Sequence, residues 1–302
     1  MKIVYFGTSD FAVPALEKLA NHIVLVVTQP DRPSGRGMKL KSSPVKLKAQ
    51  ELGLPVETPE KARDPEFVQK IQELEADVHV VAAYGQILST KLLETAKRGG
   101  INLHGSILPE YRGAAPIQRA IMDGKTETGV TLMQMDKGMD TGDIIDIVRT
   151  PIGPDETYGE LHSRLALLTA NQIEDWIERI AAGNYPRQPQ THDQATYAAK
   201  ISNEERELHL DRDVRSEYNR FRGLSPSPGA FIQTELGTVK VIETGIEEPV
   251  EEALLGRLLD AKLGTFTGRN GTWRLIQVQP SGGRVMSSQE WIRGQLGKCT
   301  TK

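Results

Sequence analysis

Three polar residues in this sequence, Asn102, His104 and Asp140, are of the types that move protons and stabilise negative charge. Asn102 and His104 stand two positions apart in INLHGSILPEYRGAAPIQRAI, where an apolar run gives way to a turn-rich loop. An amide only donates or accepts hydrogen bonds, whereas an imidazole also takes up a proton near neutral pH. A carboxylate such as Asp140 beside the histidine would favour the charged ring. The set suits a reaction that builds negative charge on a carbonyl oxygen, such as acyl transfer to an amine.

The same residue types are also common in turns, and spacing alone favours a turn-forming role for Asn102 and His104. The D-T-G-D stretch around Asp140 is likewise an ordinary loop composition. No G-x-S-x-G motif is present, so a direct transfer is expected rather than a covalent intermediate. The other histidines lack a ligand spacing and the sequence has one cysteine, so no metal site is predicted. The first turn, at Gly7, has a single glycine and does not predict a dinucleotide site.

Composition predicts an ordinary cytoplasmic globular protein. The chain has 302 residues, 38% of them hydrophobic and 25% charged, with a formal net charge of −3. That length suits two domains, and no apolar run approaches the roughly 18 residues of a membrane span. The apolar stretch from Ile3 directly after Met1-Lys2 leaves no room for a signal peptide.

Within this acidic chain, the segment 32–50 has no acidic residue and six basic ones: Arg32, Arg36, Lys39, Lys41, Lys46 and Lys48. From charge alone, a solvated face and a binding surface for anions are equally good interpretations.

Alternating apolar and amphipathic segments up to about residue 183 predict βαβ units and a mainly parallel sheet covered on both faces. Polar features after buried strands would then meet at the carboxyl edge of that sheet, where ligands bind in such folds. Helical patterns cover 11–20, 44–52, 65–74, 90–97 and 158–182, with Asp10 and Ser43 as candidate caps of the first two. Strand patterns at 130–135 and 143–148 predict a hairpin at the sheet edge. Residues 184–204 indicate a linker, and residues 205–302 have the short strands and glycine turns of a small barrel or sandwich.

Read as one string, these residues resemble the formyltransferases that use 10-formyltetrahydrofolate. Asn102-x-His104 is followed by Ser106-Ile107-Leu108-Pro109 and later by Asp140, although the usual tetrapeptide is Ser-Leu-Leu-Pro. A longer pattern, which covers nearly all of residues 1–150 in order, is similar to the methionyl-tRNA formyltransferases. The stretches on which this similarity rests include GTSDF, TQPDRP, GRG, SPVK, AYG, YRGAAPIQR and GVTLMQMD. The match is looser through the linker and the C-terminal part, where Leu224–Phe231 and Trp273 depart from the usual family pattern.

The resemblance implies a fold, an activity and a set of site residues. The fold would be a doubly wound α/β formyltransferase domain, residues 1–183, followed by a small β-barrel like an oligonucleotide-binding fold. The activity would be transfer of the formyl group of 10-formyltetrahydrofolate to initiator methionyl-tRNA, by a monomer in a bacterial cytoplasm. Asn102, His104 and Asp140 would be catalytic. The folate contacts would be Ala83, Tyr84, Gly85, Leu88, Ser106, Ile107, Leu108 and Pro109. The tRNA contacts would be Arg32, Arg36, Lys39, Lys41 and Lys46, with Arg36 foremost.

Two alternatives remain at this point. A related formyltransferase acting on an amino sugar nucleotide would share Asn102, His104 and Asp140. It would lack the basic segment and the sequence Ala114-Ala115-Pro116-Ile117-Gln118. A non-catalytic RNA-binding protein would use the basic segment and the barrel, but it has no need of the complete polar set.

Overall fold

The structure, a computed structural model, describes residues 1–34, 39–247 and 255–299, with only the backbone described at Ser34, Lys39, Lys298 and Cys299. Arg36, one of the predicted tRNA contacts, lies outside the described residues. The chain divides into two compact units. The first consists of residues 1–116, 127–150 and 162–198, and the second of 117–126, 151–161 and 199–302. The predicted domain boundaries stay a prediction.

A seven-stranded sheet forms the centre of the first unit. The strands up to residue 198 are β1 (Ile3–Gly7), β2 (Ile23–Val27), β3 (Arg32–Ser34), β4 (Lys39–Lys41), β5 (Val56–Glu57), β6 (Val78–Ala82), β7 (Gly100–His104), β8 (Arg112–Gly113), β9 (Glu127–Gln134), β10 (Ile144–Pro151) and β11 (Tyr197–Ala198). The sheet order is β10-β9-β7-β6-β1-β2-β5. The pairs β1–β2, β1–β6, β6–β7 and β2–β5 are parallel, and β9 is antiparallel to β7. The predicted mainly parallel sheet is confirmed.

Strand residues such as Val4 and Phe6 share one buried core with Ile71, Leu92 and Leu93 of two helices. The helices that begin before residue 200 are α1 (Val13–Leu19), α2 (Pro44–Glu51), α3 (Pro65–Gln72), α4 (Thr90–Leu93), α5 (Pro116–Met122) and α6 (Tyr158–Ala181). Ser43 caps α2, since its hydroxyl accepts from the Lys46 amide at 3.0 Å. The expected Asp10 cap was wrong: residues 10–12 form a separate 3-10 turn, and Asp10 Oδ1 lies 3.6 Å from His162 Nε2.

Adjacent strands β9 and β10 form the edge of the sheet, as the hairpin prediction required. We call the connection between them, residues 135–143, the Asp140 loop. Because β9 is antiparallel to β7, with Gln134 opposite Ile101, this loop leaves β9 beside the start of β7. The expectation that polar residues meet at the carboxyl ends of parallel strands was therefore wrong for Asp140, which follows a strand antiparallel to β7.

The second unit contains a curled, mostly antiparallel sheet, as the predicted C-terminal fold requires. From residue 207 the elements are β12 (Glu207–Leu208), α7 (Val214–Leu224), β13 (Ala230–Thr234), β14 (Gly237–Glu247), β15 (Leu258–Asp260), β16 (Thr265–Gly268), β17 (Gly271–Pro280), β18 (Met286–Ser287) and α8 (Ser288–Cys299). Trp273, one of the departures from the family pattern, is fully buried in the core of this unit with Val214 and Leu275. Over the residues the structure describes, no helix is long and apolar enough to cross a membrane.

Candidate active site

Strand β7 positions the two polar residues of the first motif. Asn102 and His104 are two residues apart, so their side chains project from the same face of the sheet. They lie opposite Met133 and Thr131 of β9. His104 is buried, with 5% of its surface exposed, while Asn102 is partly exposed. A strand in the interior of the sheet, paired on both sides, thus fixes the spacing of the amide and the imidazole.

The structure brings Asp140 to both of these residues. Its Oδ1 accepts from Asn102 Nδ2 at 3.4 Å, and its Oδ2 lies 3.7 Å from His104 Nδ1. Oδ2 also accepts from the backbone amide of Gly113 at 2.8 Å. Gly113 has φ +120°, and a Cβ there would meet the Ala198 carbonyl oxygen at 2.8 Å. A glycine is therefore required at the position that holds the carboxylate.

The hydrogen bond on the far side of the His104 ring decides its tautomer. Nε2 lies 2.9 Å from the backbone carbonyl oxygen of Tyr111, which can only accept. Nε2 therefore carries a hydrogen, and the other ring nitrogen, Nδ1, faces Asp140.

The arrangement can stabilise a developing oxyanion and move a proton. Asn102 Nδ2 has two hydrogens, of which Asp140 takes one, so the second is available to a bound group. His104 with both nitrogens protonated can donate through Nδ1. Donors held in place before the reaction stabilise charge better than mobile water does. The carboxylate of Asp140 can accept the proton that the ring or an attacking amine releases.

The predicted folate contacts divide into exposed and buried residues. Ala83 and Gly85 are exposed on the loop after β6, and Ile107 and Pro109 are partly exposed. The four buried residues are Tyr84, Leu88, Ser106 and Leu108. Two of these hold the loop after β7: the Ser106 hydroxyl donates to the Glu110 carbonyl oxygen at 2.7 Å, and the Leu108 amide donates to Thr131 Oγ1 at 3.1 Å.

Thr8 and Gln29 belong to this region, but sequence reasoning gave them no role. Thr8 Oγ1 and Gln29 Nε2 donate to the Tyr84 carbonyl oxygen, at 2.7 and 3.1 Å. These bonds hold the loop after β6, in which Ala83 and Gly85 have φ values of +45° and +83°. Both donors lie in stretches already quoted for the family resemblance, GTSDF and TQPDRP, which was the available signal.

The predicted tRNA contacts differ in their surroundings. Arg32 and Lys41 are exposed and directly opposite each other in the β3–β4 ribbon. Lys46 instead donates to Asp31 Oδ2 at 2.8 Å, a bond that holds the pKa of the Asp31 carboxyl below its usual range. The side chain of Lys39 is not described. Like charges opposite each other in a ribbon repel, and a polyanion would relieve that repulsion.

A buried polar network behind the Asp140 loop was also missed. Arg112 donates to Gln190 Oε1 through Nε and Nη2, at 3.0 and 2.6 Å. Gln190 Nε2 in turn donates to the carbonyl oxygens of Asp140 and Gly142. Gln190 gave no signal because its segment has the composition of a linker. Among the described residues, no group of three or more His, Cys, Asp or Glu side chains is placed to hold a metal ion.

Comparison with known proteins decides the family. The formyl transferase family matches residues 1–175, and the formyl transferase C-terminal domain matches residues 200–296. Methionyl-tRNA formyltransferases from Moorella thermoacetica and Symbiobacterium thermophilum are 42% and 43% identical to this chain. Each alignment covers 97% of this chain, and 96% and 92% of the respective relative. The chain belongs to the methionyl-tRNA formyltransferase family. A further relative with that name, from Sorangium cellulosum, is 42% identical over 98% of this chain and 97% of its own length.

Solved structures support the fold expected of a methionyl-tRNA formyltransferase family member. An N-formyltransferase from Helicobacter canadensis, solved with folinic acid and dTDP-3-aminofucose, superposes with a TM-score of 0.70 at 20% identity. The match covers 91% of this chain and 99% of that one. HypX from Aquifex aeolicus with tetrahydrofolic acid gives a TM-score of 0.65 at 15% identity, over 98% of this chain and 47% of HypX. At these identities the likeness concerns the fold alone.

Proposed function

We propose that this chain transfers the formyl group of 10-formyltetrahydrofolate to the α-amino group of methionine on initiator methionyl-tRNA. The product would be the N-formylmethionyl-tRNA used in translation initiation. One observation carries the proposal: Asn102, His104 and Asp140 meet at one point in a chain that matches methionyl-tRNA formyltransferases over almost its whole length. The reaction belongs to the bacterial cytoplasm, where initiator tRNA is charged.

In this proposal, Asn102 and His104 stabilise the oxygen of the formyl group. When the amine attacks the formyl carbon, negative charge develops on that oxygen. The free hydrogen of Asn102 Nδ2 and the Nδ1–H of the charged His104 donate to it. Loss of one such donor costs about 3–4 kcal/mol of transition-state stabilisation.

Asp140 has two tasks in the proposed reaction. Its carboxylate, 3.7 Å from His104 Nδ1, stabilises the charged ring. It also accepts the proton that the attacking amine must lose and returns a proton to the leaving nitrogen of the folate, directly or through water. The bond from the Gly113 amide holds Oδ2 in place for both steps.

Folate binding is assigned to the loops after β6 and β7. The exposed backbone at Ala83 and Gly85 and the partly exposed residues Ile107 and Pro109 would contact the folate directly. The buried residues Tyr84, Leu88, Ser106 and Leu108 would act by holding these two loops. Glycine at position 85 keeps a left-handed conformation open next to the ligand.

Binding of tRNA is assigned to the basic segment. Arg32 and Lys41 are its exposed described cations, and Arg36 and Lys39 extend the same segment in sequence. Lys46 would contribute less, since Asp31 already neutralises it. Binding through phosphate contacts releases counterions and must weaken as salt rises. The monomeric state expected from the sequence stays a prediction.

The test is a formylation assay with purified chain, 10-formyltetrahydrofolate and methionyl-tRNA, in competition with a nucleotide-linked amino sugar. Formylmethionyl-tRNA as the main product supports the proposal. Formylation of the sugar in preference to the tRNA would replace it with the sugar-modifying alternative. Tight tRNA binding with no formylation of either acceptor would identify a non-catalytic RNA-binding protein.

A further inference from the structure

We propose that Gln190 is a positioning residue for Asp140. Its side-chain amide holds the backbone of the Asp140 loop so that the carboxylate stays beside Asn102 and His104. The inference rests on the proposed function, because it concerns the rate of formyl transfer at that site.

The amide nitrogen of Gln190 bridges two carbonyl groups of the loop. Nε2 donates to the carbonyl oxygen of Asp140 at 2.9 Å and to that of Gly142 at 2.7 Å. An amide nitrogen has two hydrogens, and both are used here. One side chain therefore fixes the loop on either side of Thr141.

The amide oxygen of Gln190 is fixed just as fully. Arg112 donates to it through Nε and Nη2, and Nη2 also reaches His192 Nδ1 at 3.1 Å. A guanidinium has no acceptor, so Oε1 must face Arg112 and Nε2 must face the loop. Only 2% of Arg112 and 6% of Gln190 is exposed. The glutamine is thus held in one orientation by a buried cation.

The loop requires such support. Asp140 has φ +53°, a left-handed conformation that Asp and Asn adopt more readily than other L-residues but that still depends on support from its surroundings. Residues 136–139 just before it are exposed and add little packing. The Gly113 amide holds the carboxylate, and Gln190 holds the backbone of the same residue. Because Arg112 and Gly113 are neighbours, the two supports share one short strand.

Gln190 acts through Asp140 and does not contact the reacting atoms. All four of its hydrogen-bonding positions are occupied within the protein, which leaves none for a substrate. Formyl transfer is sensitive to the placement of the carboxylate, and a displacement of about 1 Å can lower a rate by about 100-fold. Substrate contacts outside the Asp140 loop would not change.

The diagnostic substitution is Gln190→Glu. A glutamate keeps the size and still accepts from Arg112, but its second oxygen would face two carbonyl oxygens that it repels. The matched control is Gln188→Glu, the same change two residues away on an exposed side chain. Gln188 is joined to Ile144 through its backbone only, at 2.8 and 2.9 Å, and this pairing does not depend on its side chain.

The experiment measures kcat and both KM values for the unaltered chain, Q190E and Q188E, and repeats Q190E in a D140N background. Asparagine tolerates the left-handed conformation and can still accept from Gly113, but it lacks the charge. We expect kcat of Q190E to fall about 100-fold with both KM values little changed, and Q188E to behave as the unaltered chain. In the D140N background, Q190E should change kcat by less than about twofold, as expected when both changes act on one step.

Equal kcat values for Q190E and Q188E would overturn the inference, and so would a loss of the same size in both backgrounds. If Q190E lacks the folded protein's thermal transition, Gln190→Met, which also removes the donors, takes its place and is judged by the same two results. If the unaltered chain forms no formylmethionyl-tRNA, the proposed function and this inference are overturned together. If the unaltered chain is active and Q190E is equally active, only the inference is overturned.

Discussion

His104 Nδ1 lies 3.7 Å from Asp140 Oδ2, while Nε2 of the same ring is bonded to the protein backbone. The ring is therefore anchored through one nitrogen and turns the other toward the carboxylate. Because Asp140 also contacts Asn102, a single carboxylate orients both groups proposed to stabilise the oxyanion. The loss of any one of the three is expected to disturb the other two.

Asn102 should be essential for rate rather than for folding. Replacement by alanine removes one donor to the proposed oxyanion, and kcat should fall about 100- to 1,000-fold. Replacement by aspartate should be worse, because a second carboxylate would face Asp140 Oδ1 at the 3.4 Å now occupied by a hydrogen bond. Steady-state kinetics of both variants, with circular dichroism as the folding control, measures this. An aspartate variant more active than the alanine variant would contradict the assigned role.

The three residues proposed as catalytic could be proposed from sequence because they belong to a recognisable family pattern. Asn102 and His104 come from one strand, so their shared face follows from the two-residue period. Asp140 could be proposed from the family pattern, but its position could not be derived from strand ends. Its strand, β9, is antiparallel to β7, and an apolar run does not encode strand direction.

Arg32 and Lys41 should account for part of the salt dependence of tRNA binding. Each exposed cation that neutralises a phosphate contributes about 0.7 to 0.9 to the slope of log K against log salt. Replacing both by alanine should lower that slope by about 1 to 2. Lys48→Ala is the matched control, because Lys48 is already paired with Glu17 and Glu51 at 2.9 Å. Binding titrations from low to moderate salt measure the slope, and equal slopes for the double variant and the control would show that Arg32 and Lys41 do not contact the tRNA phosphates.

His79 should make the first unit less stable as the pH falls below about 6.5. Burial lowers the pKa of His79 to about 4, and its Nε2 lies 2.8 Å from Thr95 Oγ1. The unfolded chain binds a proton at the ordinary value of 6.5, so it holds more protons than the folded chain between about pH 6.5 and 4. The free energy of unfolding therefore decreases as the pH is lowered through that range, by at most about 3 kcal/mol.

Gln in place of His79 cannot take up a proton, so the variant should lose this part of the pH dependence. Urea unfolding of the unaltered chain and of His79→Gln at pH 7 and pH 5 compares the two. The free energy of unfolding should drop more for the unaltered chain, by about 2 kcal/mol at most. Parallel pH dependences would show that His79 does not titrate as its burial requires.

The missed residues are those whose roles depend on contacts distant in sequence. Gln190 lies in a polar, proline-containing stretch whose composition is that of a linker, yet its side chain is buried against Arg112. Helix α5 was missed because Pro116–Met122 was interpreted only as part of a family motif. A proline at the first helical position is compatible with that motif and with a helix alike. Composition reports average exposure, and it does not identify the single buried polar side chain in an exposed segment.

The measurement that tests the proposed reaction most directly is the single-turnover rate of formylmethionyl-tRNA formation by the unaltered chain and by Asp140→Asn. The variant keeps an acceptor for the Gly113 amide, but it removes the charge that faces His104 and the oxygen that accepts from Asn102. We expect the unaltered chain to formylate methionyl-tRNA, and the variant to remain folded and bind tRNA while its rate falls at least about 100-fold. A folded Asp140→Asn variant that formylates methionyl-tRNA at the unaltered rate would contradict the proposed site.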